Sequence, residues 1–182
     1  MEDTHLLKRT RCYLVGAMEN DARGADWRDV IMSSLEHTGI IFFSPYHRPF
    51  INDIPEDEAA RVELNTWMER GDFDLVASRM TQIRAHDLRL VDISDFIIAR
   101  IDPKVATYGT VEEITTAVRE KKPVFLVVEG GKRKTPLWLL GMFPHKYIYD
   151  SVSDVVEMVS AIDRGTVKLS SDRWRLLTEQ YR

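Results

Sequence analysis

The sequence predicts an α/β domain: an open parallel sheet of four or five strands with helices on both faces, of the Rossmann or flavodoxin-like kind. Three observations predict it. Short apolar runs recur at residues 11–15, 40–43, 95–101 and 123–128, each of strand length and apolar enough to be covered on both sides. Segments with apolar residues at helical spacing lie between them. Gly16, Gly39 and Pro123 punctuate the changeovers, so connections are short and the crossovers are expected to be right-handed.

The elements follow in order. Residues 11–15 form a first buried strand ending at Gly16-Ala17, and residues 18–24 are polar and loop-like. A helix over 25–35 places Trp27, Val30, Ile31 and Leu35 on one side, with Gly39 as its stop. After the strand at 40–43, Pro45, Pro49 and Pro55 interrupt an aperiodic stretch; so long a loop in a compact domain is usually functional. A helical insertion around 55–90 follows, with helices over 56–70 and 73–90. The strand at 95–101 leads through Tyr108-Gly109 into a helix ending near Lys121, and the strand at 123–128 is nearly all apolar. Residues 129–134 read as a solvated basic loop, 136–140 as a short helix, 146–149 as a last strand and 153–162 as a closing helix.

At 182 residues, 44% hydrophobic and 30% charged, the chain has the size of a single domain spanning 1–182 with a full core. Residues 1–10 read as an N-terminal tail and 171–182 as an amphipathic C-terminal docking helix. The formal net charge of −4, without a long basic run, argues against a nucleic-acid polymer as partner. Cys12 is the single cysteine, which excludes an internal disulfide and fits a reducing cytoplasm, with the thiol as a small buried residue. The acidic start and the absence of an apolar run of about 18 residues point away from a signal peptide or membrane span. A soluble cytoplasmic protein is expected.

Ligands of open parallel sheets bind outside the carboxyl ends of the strands. The segments expected there are Gly16-Ala17, Tyr46-His47-Arg48, residues 107–113 and Pro144-His145-Lys146, with Glu112, Glu113, Asp87, Asp92 and Asp95 as the acids in reach. No Gly-x-Gly-x-x-Gly, P-loop or His/Cys ligand spacing occurs, so no cofactor and no metal is predicted and carboxylate chemistry remains. The turn Tyr108-Gly109-Thr110-Val111-Glu112-Glu113 carries two readings. Thr110 and Glu113 have the spacing of a capping box, in which Glu113 bonds back to the Thr110 amide. Alternatively, Glu113 in a first helical turn, where unpaired amides favour negative charge, is a nucleophile beside a backbone that Gly109 lets approach a ligand.

Four segments together resemble the nucleoside 2-deoxyribosyltransferases and the related deoxynucleoside 5′-monophosphate N-glycosidases. They are Tyr13-Leu14-Val15-Gly16-Ala17; Asp87-Leu88 with Asp95 eight residues after Asp87; Gly109-Thr110-x-x-Glu113-Ile114-x-x-Ala117; and Lys121-Lys122-Pro123-Val124. The resemblance implies Glu113 as the nucleophile that holds deoxyribose as an ester, Asp87 as the group serving proton transfer to the departing base, and Tyr13 as the phenol that orients the glutamate. Two carboxylates with different tasks suit a retaining glycosyl transfer. A homo-oligomer, at least a dimer, is also implied, with the C-terminus completing a neighbour's pocket.

The chain departs from the family pattern where Thr107 stands in place of an aspartate six residues before the nucleophile, and at Tyr46-His47-Arg48 and Pro144-His145-Lys146-Tyr147. Arg48, His145 and Lys146 would suit a 5′-phosphate or simple surface pairing. Asp92 and Asp95 read as structural, Glu112 as a solvated acid, and Trp138, Phe143 and Trp174 as packing or interface aromatics. The expected ligands are a deoxynucleoside or deoxynucleotide and a free base. Purine against pyrimidine, nucleoside against monophosphate, and transfer against hydrolysis stay open, as do an N-glycosidase of NAD or modified nucleotides and a non-catalytic nucleotide sensor.

Overall fold

The computed structural model describes residues 5–17, 26–45, 58–142 and 144–167. Within them the chain runs β1 (Arg11–Gly16), α1 (Asp26–Ser34), β2 (Ile41–Phe43), α2 (Glu58–Arg70), α3 (Phe73–Ile93), β3 (Phe96–Ile101), α4 (Tyr108–Arg119), β4 (Val124–Val128), α5 (Leu137–Leu140), β5 (Ile148–Tyr149) and α6 (Val152–Asp163). The five strands form one sheet in the order β2-β1-β3-β4-β5, every neighbouring pair parallel. Strand order reverses between β1 and β3, so the crevice beyond their carboxyl ends is where this topology places ligands.

Each face of the sheet carries its own core. On one, Cys12, Leu14, Phe96, Ile98 and Phe125 pack against Trp27 and Ile31 of α1, Leu35 just after it, and Val155, Val159 and Ile162 of α6. On the other, Tyr13, Val15, Ile97, Ala99 and Leu126 pack against Leu90 and Val91 of α3, Ile114 and Ala117 of α4, and Leu139 of α5. All five residues of β4 are buried, which is why it reads as a continuous apolar run rather than an alternating one. Each large aliphatic side chain so buried contributes about 1.5–3 kcal/mol.

The structure departs from the sequence expectations at several places. The inward side of α1 uses Arg28, 1% exposed, whereas Val30 is 48% exposed. The last strand is two residues long, because His145–Tyr147 forms a 3-10 turn ahead of it. The basic segment after β4 is also ordered as a 3-10 turn, Lys132–Lys134, pinned by the Lys132 amide donating to Asp150 Oδ1 at 2.6 Å. Trp138 is 81% exposed and packs into neither core of the described chain. Phe143, Trp174 and the expected docking helix over 171–182 lie outside the described residues.

Two carboxylates act as structural ties. Asp95 accepts from the Arg11 amide at 2.7 Å while its own amide donates to the Arg11 carbonyl at 2.8 Å, fastening the starts of β1 and β3 together. Asp163, fully buried, accepts from the Leu7 amide at 2.9 Å and lies 2.6 Å from His5 Nδ1. Residues 5–10 of the expected tail are thereby docked, with Leu7 fully buried.

Gly16 is a packing requirement. A Cβ there would lie 2.9 Å from the Arg100 carbonyl oxygen and 3.1 Å from the Trp27 ring, and the first of these neighbours is backbone that cannot step aside. Gly16→Ala is expected to destabilise the protein by about 1–3 kcal/mol, read as a lowered midpoint in urea denaturation with an unchanged slope.

Candidate active site

Glu113 lies on the buried stripe of α4, which comprises Thr110, Glu113, Ile114 and Ala117. A carboxyl placed among apolar positions needs a partner, since an unpaired buried polar group is costly. Tyr13 of β1 provides it: the phenol donates to Glu113 Oε1 at 2.8 Å, with the tyrosine 1% and the glutamate 7% exposed. α4 begins at Tyr108, with Thr107 as its N-cap residue and no capping bond from the Thr107 side chain. Thr110 is therefore inside the helix, and Glu113 lies in its second turn, aimed at Tyr13. The capping-box reading fails on both counts, and the expectation that Glu113 sits among the unpaired amides of the first turn fails with it, because the helix starts earlier than the sequence suggests. A capping bond does occur at α6, where the N-cap Ser151 Oγ accepts from the Asp154 amide at 3.2 Å and donates to Asp154 Oδ2 at 2.8 Å.

Asp87 reaches the same place from α3. It falls between Ile83 and Leu90, both buried, so helical spacing carries it on the inward stripe toward α4. A cavity of about 480 Å³ opens between the two helices, and its walls include Met80, Arg84, Asp87, Tyr108, Gly109 and Glu113. Gly109 faces open space, since a Cβ there would meet nothing within 4 Å. Glu112 is paired rather than merely solvated: Arg84 grips it through both Nε and Nη2, bridging α3 and α4 along the cavity wall and holding the Glu112 carboxyl below its usual range.

Burial pushes Glu113 up to about 8, an effect reinforced by the negative charge of Asp87 and Glu112 and opposed by the Tyr13 hydrogen bond and the positive charge of Arg28. The Tyr13 phenol is raised well above its ordinary value, first by burial and then by the neighbouring Glu113 and Asp87.

The structure thus brings Glu113, Asp87, Tyr13 and Gly109 together. Gly16 ends β1 and Ala17 follows it at the same end of the sheet, and Thr107 and Thr110 belong to the start of α4, Thr110 being buried. His145 and Lys146 are elsewhere, in the turn that precedes β5 and hence at its amino end, where Lys146 Nζ sits 5.2 Å from the Tyr147 ring centroid. Tyr46, His47 and Arg48 lie outside the described residues. The sequence reading missed Arg28, whose Nε donates to the Leu14 carbonyl at 3.2 Å and Nη2 to the Gly16 carbonyl at 2.9 Å. Its signal was present, because Arg28, Ile31 and Leu35 share one helical stripe. Among the described residues no group of three or more His, Cys, Asp or Glu is placed to hold a metal, and no helix is long and apolar enough to cross a membrane.

No protein-family model matches the chain, and comparison with curated proteins gives no match. Among solved structures it is similar to a conserved protein from Enterococcus faecalis V583, with 16% identity over 85% of this chain and 99% of that one and a TM-score of 0.54. It is also similar to the CMP N-glycosidase BcmB of Clostridium botulinum, with 15% identity over 83% and 98% of the two chains and a TM-score of 0.48. At such identities the first is a likeness of fold alone, and it agrees with the parallel α/β sheet described above.

The raised Glu113 carries a sign that denaturation can check. The folded protein binds the Glu113 proton more tightly than the unfolded chain does, so stability present below about pH 4.5 is lost as pH rises through about 8. Glu113→Gln, which keeps an acceptor for Tyr13 and cannot ionise, is expected to be more stable than the wild type at pH 9 by on the order of 1–4 kcal/mol, the difference shrinking toward pH 5 in parallel denaturation curves.

Proposed function

We propose that this chain cleaves or exchanges the N-glycosidic bond of a 2′-deoxynucleoside or its 5′-monophosphate, with Glu113 as nucleophile and Asp87 as proton donor. The observation that carries the reading is the buried Tyr13–Glu113 hydrogen bond, which aims a carboxyl into a cavity also walled by Asp87. The resemblance of the Tyr13, Asp87, Glu113 and Lys122-Pro123 segments to the deoxyribosyltransferases supports the same assignment.

In the first step a Glu113 oxygen attacks C1′, the C1′–N bond breaks with its electron pair on nitrogen, and Asp87 protonates the departing base. In the second, water or another base attacks C1′ and gives up a proton to the Asp87 carboxylate, the C1′–O bond to Glu113 breaks with its electron pair on oxygen, and both carboxyl groups return to their starting states. The phenol of Tyr13 fixes the carboxyl rotamer and favours its ionised form. Because Glu113 must lose its proton to attack, kcat/KM is expected to rise with pH through about 8.

The raised Glu113 also favours a second assignment, in which Glu113 is the acid and Asp87 the anion. A 2′-fluoroarabinosyl nucleoside separates the two, since the fluorine slows breakdown of a glycosyl ester. Peptide mass spectrometry is expected to find the sugar on the segment carrying Glu113; a sugar on Asp87 would reverse the roles.

Incubating deoxynucleosides and their monophosphates with and without free bases, read by chromatography, is expected to show base release or exchange that Glu113→Gln abolishes. Asp87→Asn should lose on the order of 10²–10⁴-fold in kcat, and far less on N7-methyldeoxyguanosine, whose base departs without needing a proton. Release of nicotinamide from NAD with every deoxynucleoside untouched would move the assignment to a different glycosidase.

A further inference from the structure

Arg28 is a full charge in the core, 1% exposed, and arginine is seldom buried without a task that repays its desolvation. It belongs to α1, whose apolar side faces the opposite side of the sheet from α4. From there its guanidinium reaches over the carboxyl end of β1 and donates to the Leu14 and Gly16 carbonyls at 3.2 and 2.9 Å. The Trp27 ring supports it, with the guanidinium carbon 4.6 Å from the ring centroid. Gly16 leaves the space: a Cβ at that position would stand 3.5 Å from Arg28 Nη2 and closer still to Trp27.

These contacts lock a positive charge at the strand that carries Tyr13, at the end of the sheet where the cavity opens. We infer that Arg28 is a positioning residue of this site: its guanidinium caps the end of β1 and supplies the positive field in which buried Glu113 works as a carboxylate. The inference rests on Glu113 as the reacting carboxyl. Glu113 feels Tyr13 from β1, Asp87 from α3, Arg28 from α1 and, on its own helix, Glu112 tied to Arg84. The residues of β3 and β4 on this side, among them Ile97, Ala99 and Leu126, are apolar. Arg28 and the Tyr13 hydroxyl thus oppose burial and two acids.

The test is carbon-13 NMR of the Glu113 carboxyl in glutamate-labelled protein, assigned by its loss in Glu113→Gln, alongside the pH profile of kcat/KM. In Arg28→Met the Glu113 midpoint is expected to rise by about 1 pH unit or more, and the acid limb of kcat/KM should move with it. Arg28→Lys, which keeps a charge but neither the two-pronged donation nor the stack on Trp27, should leave both between those of Arg28→Met and the wild type. A folded Arg28→Met protein with an unmoved midpoint overturns the inference. If Arg28→Met does not fold, Arg28→Gln, which keeps a donor for the same carbonyls, decides on the same resonance. A midpoint that moves in a protein that releases no base from any nucleoside sustains the electrostatic role of Arg28 and overturns the glycosyl-transfer reading instead.

Discussion

The hydrogen bond from Tyr13 to Glu113 joins residues a hundred positions apart, and the architecture around it can be understood from the need to make it. A carboxyl on the inward stripe of α4 is tolerable only if a donor meets it without water. The donor must come from the strand under α4, which requires β1 to lie beside β3 with Tyr13 level with Ile97. The reversal of strand order between β1 and β3 is what lets one strand's side chain meet the helix that follows the other. Fold topology and site chemistry are therefore one constraint seen at two scales.

The same burial works against stability. An acid that prefers its neutral form inside the protein weakens the folded state as the solution becomes alkaline, and the Tyr13 hydroxyl and Arg28 only partly offset this. The two cores on either side of β1, β3 and β4 carry that load, because most of their side chains are almost completely buried. Sites that trade stability for a poised group are ordinarily supported in this way.

The sheet and its two helical layers were legible in the sequence because β1, β3 and β4 are covered on both faces and so read as unbroken apolar runs. Glu113 stood out in the sequence by its place after the Gly109-Thr110 turn and Asp87 by the segment it shares with Leu88, although the sequence could not say whether Glu113 would turn toward Thr110 or away from it. That choice depends on where α4 starts: beginning at Tyr108, it moves Thr110 off the cap and frees the glutamate. Arg28 escaped notice because a charged residue near a helix start resembles a solvated one; its stripe with Ile31 and Leu35 is the sequence signal, and the closeness of Gly16, Trp27 and the β1 carbonyls shows that it points inward. His145 and Lys146 seemed suited to a phosphate by charge, but the shortness of β5 leaves them at the other end of the strand, a distinction that local composition does not carry. The partnership of Arg84 with Glu112 spans 28 residues and has no local signature.

That partnership has a geometric consequence. At the far end of α3, Lys122 Nζ donates to the Val91 and Asp92 carbonyls at 2.5 and 2.6 Å, so the end of that helix is stitched to the start of β4. Nearer the cavity, α3 and α4 are also joined by the solvent-facing Arg84–Glu112 pair, of a kind that contributes little to stability and yields readily to salt. Asp87 belongs to the first of these helices and Glu113 to the second, so raised ionic strength loosens one of the contacts that join the two carboxyl-bearing helices.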